Sequence, residues 1–231
     1  MGHRLKVDLH THTGEDPKDH LPYSAFDLMD KAAAEGYDAL AISNHDILTF
    51  NPQLQKYAEA RDILLIPGIE ITVSRVHILV INPDFKNDSG VHTLDDLPQL
   101  KNDKSLVIAP HPFFRLYKSL KSRLYTYVHY FDAIEFTSYY TQVLNFNKKA
   151  VRAAALFNKP LVGSSDCHHL WQFGKTFTLI DAPKDIPSIV RAVKEGRVEV
   201  RTTPVSFLTL FRMALELLTI EKLRSALSGR R

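Results

Sequence analysis

The sequence predicts an α/β protein with a largely parallel sheet, and two observations carry that reading. Strand-length apolar runs alternate with helical patterns almost to the end of the chain. The chain has 231 residues, 45% of them hydrophobic, enough for one well-filled core in the size range where (β/α) barrels commonly fall. No shift in composition marks a linker, so residues 1–231 read as a single domain, with 204–231 as an added C-terminal helix.

The first strand is Lys6-Val7-Asp8-Leu9-His10-Thr11-His12, where Val7 and Leu9 alternate with Asp8 and His10. His10 and His12, two positions apart, point the same way on an extended backbone, whereas a helix would separate them by about 200°. After a polar loop over 14–23, Ser24 caps a helix to about Glu35, which Gly36 stops. Residues 38–43 form a buried strand ending in Asn44-His45-Asp46. A helix over 52–61 leads to a strand over 63–70, closed by Glu70. Residues 71–73 and 76–81 flank Ser74-Arg75 as a hairpin. Residues 82–104 are mostly loop with a short helix. A strand over 106–109 runs into Pro110-His111-Pro112. A helix over 118–128, a strand over 133–136 and a helix over 143–157 follow. Residues 160–163 are a strand that ends in Ser164-Ser165-Asp166-Cys167-His168-His169. Residues 176–180 read as the last strand and 186–195 as the last barrel helix.

Composition sets the setting. The net charge is +3 with Lys and Arg scattered, which argues against a dedicated nucleic-acid groove and for no stable nucleic-acid complex. A single cysteine, Cys167, excludes an intramolecular disulfide framework and suits a reducing cytoplasm. No apolar leader precedes the first strand, and no run is long enough to span a bilayer.

The ionisable residues fall at strand ends. In a parallel barrel all strand C-termini share one face, so His10, His12, His45, Glu70, His111, Asp166 and His168 should converge, with His77 in the hairpin return and Glu135 in a fifth strand. Clustered histidines and carboxylates without a cysteine cluster suit zinc, manganese or iron, and so many ligand types imply two or three divalent ions. Closely spaced ions can clamp a phosphoester, activate water and stabilise the leaving oxygen.

The pieces Asp8-Leu9-His10-Thr11-His12-Thr13, Ser43-Asn44-His45-Asp46, Pro67-Gly68-Ile69-Glu70, Val76-His77-Ile78-Leu79, Ala109-Pro110-His111-Pro112 and Gly163-Ser164-Ser165-Asp166-Cys167-His168 occur in the order in which the PHP (polymerase and histidinol phosphatase) domain family carries them. The chain resembles that family from residue 6 to 168, and its flanking strands extend the likeness to about Gly196. The resemblance implies a distorted (β/α)7 barrel, here with a C-terminal extra helix, and a metal-dependent phosphoesterase cleaving a phosphomonoester or phosphodiester with metal-activated water. It implies that His10, His12, Glu70 and Asp166 hold a first ion, Glu70, His77 and His111 a second, and His45 and His168 a third. Asp16 is the favoured remaining ligand of the third ion, with His20 the alternative. Asp8, Asp46 and Glu135 would orient imidazoles.

On the substrate side, Arg115 is a candidate phosphate donor, and His169, beside a ligand, a candidate proton donor to the leaving group. The substrate is a small phosphorylated molecule, a nucleotide or an oligonucleotide. Two other functions compete: an amidohydrolase-type metal hydrolase, which expects a metal-bridging lysine that no strand end supplies, and a non-catalytic metal-binding module. In the C-terminal helix, Phe207, Phe211, Ala214, Leu215 and Leu218 make one apolar face and Leu210, Met213, Leu217 and Ile220 its neighbour. So broad a face is covered either by the barrel's own helices or by a contact such as a homodimer or membrane surface.

Overall fold

The structure, a computed structural model, describes residues 4–114, 118–212 and 215. Its strands are β1 (Leu5–Thr11), β2 (Ala39–Ile42), β3 (Leu64–Val73), β4 (Val76–Ile81), β5 (Leu106–Ala109), β6 (Ala133–Thr137), β7 (Leu161–Ser164), β8 (Thr176–Ile180) and β9 (Val198–Thr202). Its α-helices are α1 (Ala25–Ala34), α2 (Pro52–Glu59), α3 (Arg123–Tyr127), α4 (Asn147–Leu156) and α5 (Ile186–Lys194). Local chemistry starts three of the helices. Ser24 and Asp27 form a capping box on α1, Asn51 caps α2 ahead of Pro52, and Asp185 caps α5.

Among the described residues the strands make one sheet, in the order β7-β6-β5-β4-β3-β2-β1-β8-β9. β1, β2 and β3 pair in parallel, as do β5, β6 and β7. The repeating βα pattern is distorted in two places: β4 runs antiparallel to both β3 and β5, and β8 runs antiparallel to β1 and β9. The sheet curls until it nearly closes. Gly163 N in β7 donates to Thr178 Oγ1 in β8 at 2.8 Å, and that hydroxyl donates to Gly163 O at 2.8 Å. A Cβ at position 163 would meet Phe177 O and Val200 Cγ1 at 2.8 Å, so the seam needs glycine.

Leu5, Val7 and Leu9, Ala39 and Ala41, Ile66, Leu79 and Ile81, Leu106 and Ile108, Ala133, Val162 and Ile180 form one buried cluster with Ile189, Val190 and Val193 of α5. Residues from eight strands can share a cluster only inside the barrel, so α5 plugs one end. Each large aliphatic buried there stabilises the fold by about 1.5–3 kcal/mol.

The other end belongs to the histidines, and a β-bulge puts them there. In the β1–β2 register, Asp8 pairs with Leu40 and Thr11 with Ile42, three steps against two. Simple alternation would send His10 to the face opposite Val7 and Leu9. The extra residue turns the strand so that His10 and His12 also point inward.

Other departures from the local reading have identifiable causes. β3 continues without a break through Ile71, Thr72 and Val73, and the hairpin turn is Ser74-Arg75, both at positive φ (47° and 65°). α3 is shorter than the expected 118–128, because Lys121 sits at φ 54°, outside the helical region. α4 begins at Asn147, since Thr141 and Leu144 close a turn on each other instead of extending it. β9 is a strand beyond the expected last one, and its signal was present: Val198 and Val200 alternate with Glu199 and Arg201. Of the C-terminal helix, residues 207–212 are helical and most of the rest lies outside the described residues. Leu210 packs with Val205, Phe114 and Tyr139, while Phe207, Leu208 and Phe211 are exposed. No helix among the described residues is long and apolar enough to cross a membrane.

Candidate metal centre

Glu70 in β3 is the middle of the site and is fully buried. Its Oε1 lies 3.0 Å from His77 Nδ1, 3.1 Å from His111 Nε2 and 3.4 Å from His10 Nε2. Its Oε2 lies 2.9 Å from His45 Nε2 and 3.6 Å from His12 Nε2. Beside this group stands Asp166, whose Oδ1 is 3.3 Å from His12 Nε2, 3.5 Å from His10 Nε2 and 3.8 Å from His168 Nδ1. The strand ends thus bring together all nine residues expected as ligands: His10, His12, Asp16, His45, Glu70, His77, His111, Asp166 and His168. His111 and Asp166 both sit at positive φ (28° and 48°), a conformation that costs such residues of order 1–3 kcal/mol and recurs at functional sites.

The outer side of the cluster holds the imidazoles in place. Glu135 Oε1 in β6 accepts from His10 Nδ1 at 2.8 Å, and its Oε2 accepts from His111 N at 2.5 Å. Asp16 Oδ2 lies 3.1 Å from His12 Nδ1 and 2.8 Å from His45 Nδ1. Ser119 Oγ lies 3.3 Å from His111 Nδ1 and donates to His111 O at 2.8 Å. Tyr23 OH donates to His12 O and Cys167 O at 2.8 and 2.9 Å, tying the first motif to the last.

Several expected residues take other places. Asp8 accepts from the backbone N–H groups of His10 and Ser165, both at 3.2 Å, so it fixes the chain that carries ligands and not an imidazole. Asp46 also leaves the imidazoles: its carboxylate takes Thr72 N at 2.7 Å and the Lys18 ammonium. Its positive φ (54°) turns it away from the strand direction. His20 is exposed and stays out of the cluster. His169 is half-buried and stacks on Trp171, with ring centroids 5.7 Å apart. Arg115 lies outside the described residues. Tyr139 packs in the core and its hydroxyl donates to Asp166 O, 3.2 Å from His168 Nδ1.

The residue that sequence reasoning missed is Asp19. Its Oδ2 lies 3.0 Å from His168 Nε2 and 3.4 Å from His45 Nδ1. Asp16 folds the loop to bring it there, its Oδ1 accepting from Lys18 N (2.8 Å) and Asp19 N (3.2 Å). A second carboxylate three residues beyond Asp16 was the available signal.

The donor set fits divalent ions. Both oxygens of Asp166 are buried and make no hydrogen bond, a costly arrangement unless something else binds them. Burial alone would raise the pKa of Glu70 and of Asp166. The imidazoles outweigh it: His77, His10 and His45 around Glu70, and His10, His12 and His168 around Asp166, hold both well below the usual carboxylate range. Burial lowers the His12 pKa, but Asp16, Asp166 and Glu70 bring it up to about 10. His77, where burial outweighs Glu70, is pushed down to about 3 and is therefore neutral. The carboxylates demand positive charge, and ions coordinated by neutral imidazoles meet that demand as protons on the imidazoles do. Several distinct groupings of ligand atoms occur, among them His10, His12 and Glu70; His45, Glu70 and His77; and His12, Asp166 and His168. Each grouping could hold an ion.

Comparisons with known proteins agree with this architecture. Residues 145–198 match the model of the PHP-associated family. An uncharacterized protein of Methanocaldococcus jannaschii is 26% identical over 131 residues, 52% of this chain and 75% of that protein. A two-domain protein from Bacteroides vulgatus containing a predicted PHP-like metal-dependent phosphoesterase superposes with a TM-score of 0.68 at 20% identity, over 92% of this chain and 69% of that one. The lesion-specific endonuclease Q of Pyrococcus furiosus superposes with a TM-score of 0.61 at 18% identity, over 85% of this chain and 57% of that one. With the motifs in order, the PHP-associated segment and the shared fold, the chain is similar to PHP-domain proteins.

Proposed function

We propose that this protein is a metal-dependent phosphoesterase that hydrolyses a phosphomonoester or phosphodiester. The observation that carries the reading is the buried Glu70, with its two oxygens ringed by His10, His12, His45, His77 and His111 beside the carboxylate of Asp166, whose oxygens make no hydrogen bond. In this reading His10, His12, Glu70 and Asp166 hold one ion, and Glu70, His77 and His111 a second. His45, His168 and Asp19 hold a third, with Asp16 orienting His12 and His45 from outside. When bound, two or three ions of zinc, manganese or iron supply Lewis acidity to the phosphoryl oxygen and lower the pKa of water. The Bacteroides vulgatus phosphoesterase and endonuclease Q share the fold and lend support to phosphate-ester chemistry.

The chain's own groups do the positioning. Glu135, Asp16 and Ser119 take up the Nδ1 atoms of His10, His12 and His111 and so leave each Nε2 turned toward the carboxylates. His169, next in sequence to His168, is assigned protonation of the leaving group, and Arg115 a contact to the phosphate. Asp46 is assigned to holding Lys18. Cys167 is no nucleophile: burial pushes its thiol up to about 12. The exposed Phe207, Leu208 and Phe211 are assigned to a homodimer contact, and the protein to the cytoplasm.

A panel of phosphomonoesters and phosphodiesters, assayed with manganese and with zinc, tests the reading against a His10→Ala control. Turnover that needs added metal and vanishes in His10→Ala is expected. A metal-loaded protein inert on every phosphoester would sink it.

A further inference from the structure

We propose that the groove between α3 and α4 binds a single-stranded nucleic acid and leads it to the metal centre. This rests on the phosphoesterase reading and names its substrate class. The groove has a volume of about 490 Å³ and is lined by Phe113, Tyr125 and Phe146 and by Lys121, Lys149 and Arg152. No acidic side chain lines it. The three cations are exposed and make no side-chain hydrogen bond or ion pair with any described residue. Unpaired cations around aromatic faces suit a ligand that brings both phosphates and flat rings.

The surrounding sequence carries the same bias. Residues 113–159 hold eight Lys and Arg against two Asp and Glu, in a chain whose net charge is only +3. Both acids are already engaged, Asp132 with Lys101 and Val107 N, and Glu135 with His10. Lys148 and Lys149 stand in the first turn of α4, where no acidic residue offsets them. Positive charge there opposes the helix dipole and favours an anionic partner.

The groove neighbours the metal centre, with a few packed residues between them. Phe113 lies two residues past His111, and Lys121 N donates to Pro112 O at 2.7 Å. On the other side Phe146 packs on Phe114 (centroids 5.8 Å apart) and Phe114 on Tyr139 (5.3 Å), whose hydroxyl is 3.2 Å from His168 Nδ1. A strand stacked on Tyr125 and Phe113 would carry its next phosphates along the cations toward His111.

Fluorescence anisotropy with a labelled oligothymidylate of about a dozen nucleotides tests this on the full chain. Three phosphate contacts predict a log–log salt slope of about −2, or about a tenfold loss of affinity between roughly 0.1 and 0.3 M KCl. The triple variant Lys121→Glu, Lys149→Glu, Arg152→Glu should bind at least about tenfold more weakly, and Tyr125→Ala about tenfold more weakly through lost stacking. Both should keep the parent's metal content and melting temperature. Failure of the parent to bind at low salt, a triple variant that binds like the parent, or equal affinity for a duplex or for anionic vesicles would each overturn the proposal. Binding is read without turnover. A protein that binds the strand but cleaves no phosphoester refutes the phosphoesterase reading alone, and one that cleaves small phosphoesters but ignores the strand refutes the groove.

Discussion

Replacing Asp16 and Asp19 separately should give opposite phenotypes, although both carboxylates are buried in one short loop. Asp16 accepts from Lys18 N, Asp19 N and His45 N at 2.8, 3.2 and 2.8 Å and also meets the Nδ1 atoms of His12 and His45. Asp16→Ala strips three backbone N–H groups of their acceptor at once. Each costs about 1–3 kcal/mol where water cannot replace it. Lys18 is partly exposed, so its N–H recovers most of that loss, and the other two leave a total of about 2–6 kcal/mol. For a chain of this length that lowers Tm by about 4–24 °C. Asp19 instead meets His168 Nε2 and His45 Nδ1. Asp19→Ala should cost the metal-free fold no more than about 1–2 kcal/mol and should remove about one ion per chain, by the loss of one carboxylate from a small ligand set. Urea unfolding in chelator measures the first quantity, and elemental analysis after manganese loading the second. An Asp16→Ala protein as stable as its parent in chelator, or an Asp19→Ala protein with undiminished metal, would refute the division of labour between them.

Four further outcomes are expected. Glu135→Gln should weaken metal binding about 10–100-fold, because the acceptor that orients His10 also holds His111 N; competition with a chromogenic chelator measures it. Cys167→Ser should keep turnover, and the buried thiol should resist alkylation in the native protein; loss of activity with metals retained would mean that the thiol takes part. Chelation should lower Tm, since ions at about 1,000 times their Kd contribute about 4 kcal/mol of stability; a scanning fluorimetry curve unmoved by chelator and by added manganese would contradict the metal centre. The full chain should sediment as a dimer that Phe207→Glu with Phe211→Glu converts to a monomer, and a monomeric parent would exclude the homodimer contact.

Much of this molecule is written locally in its sequence. Alternating strand and helix patterns, the caps Ser24, Asn51 and Asp185, and ligand-type residues at successive strand ends all depend on neighbours in the chain. Reading them locates the barrel-like sheet and most of the residues that gather around Glu70, though not Asp19. Tertiary structure decided where those residues point and what they meet. A single extra residue in the β1–β2 register turns His10 and His12 inward, an effect invisible in the alternation of Val7 and Leu9. Asp46, beside a ligand in sequence, is turned out to Lys18 and Thr72, while Asp19, passed over in sequence, is turned in to His168, 149 residues away. Charge behaved likewise. Lys121, Lys149 and Arg152, apart in the sequence, meet on one groove that α3 and α4 flank. A short-range pattern reports which residues share a face of one element. Which oxygen meets which imidazole depends on loops that close only when the whole barrel does.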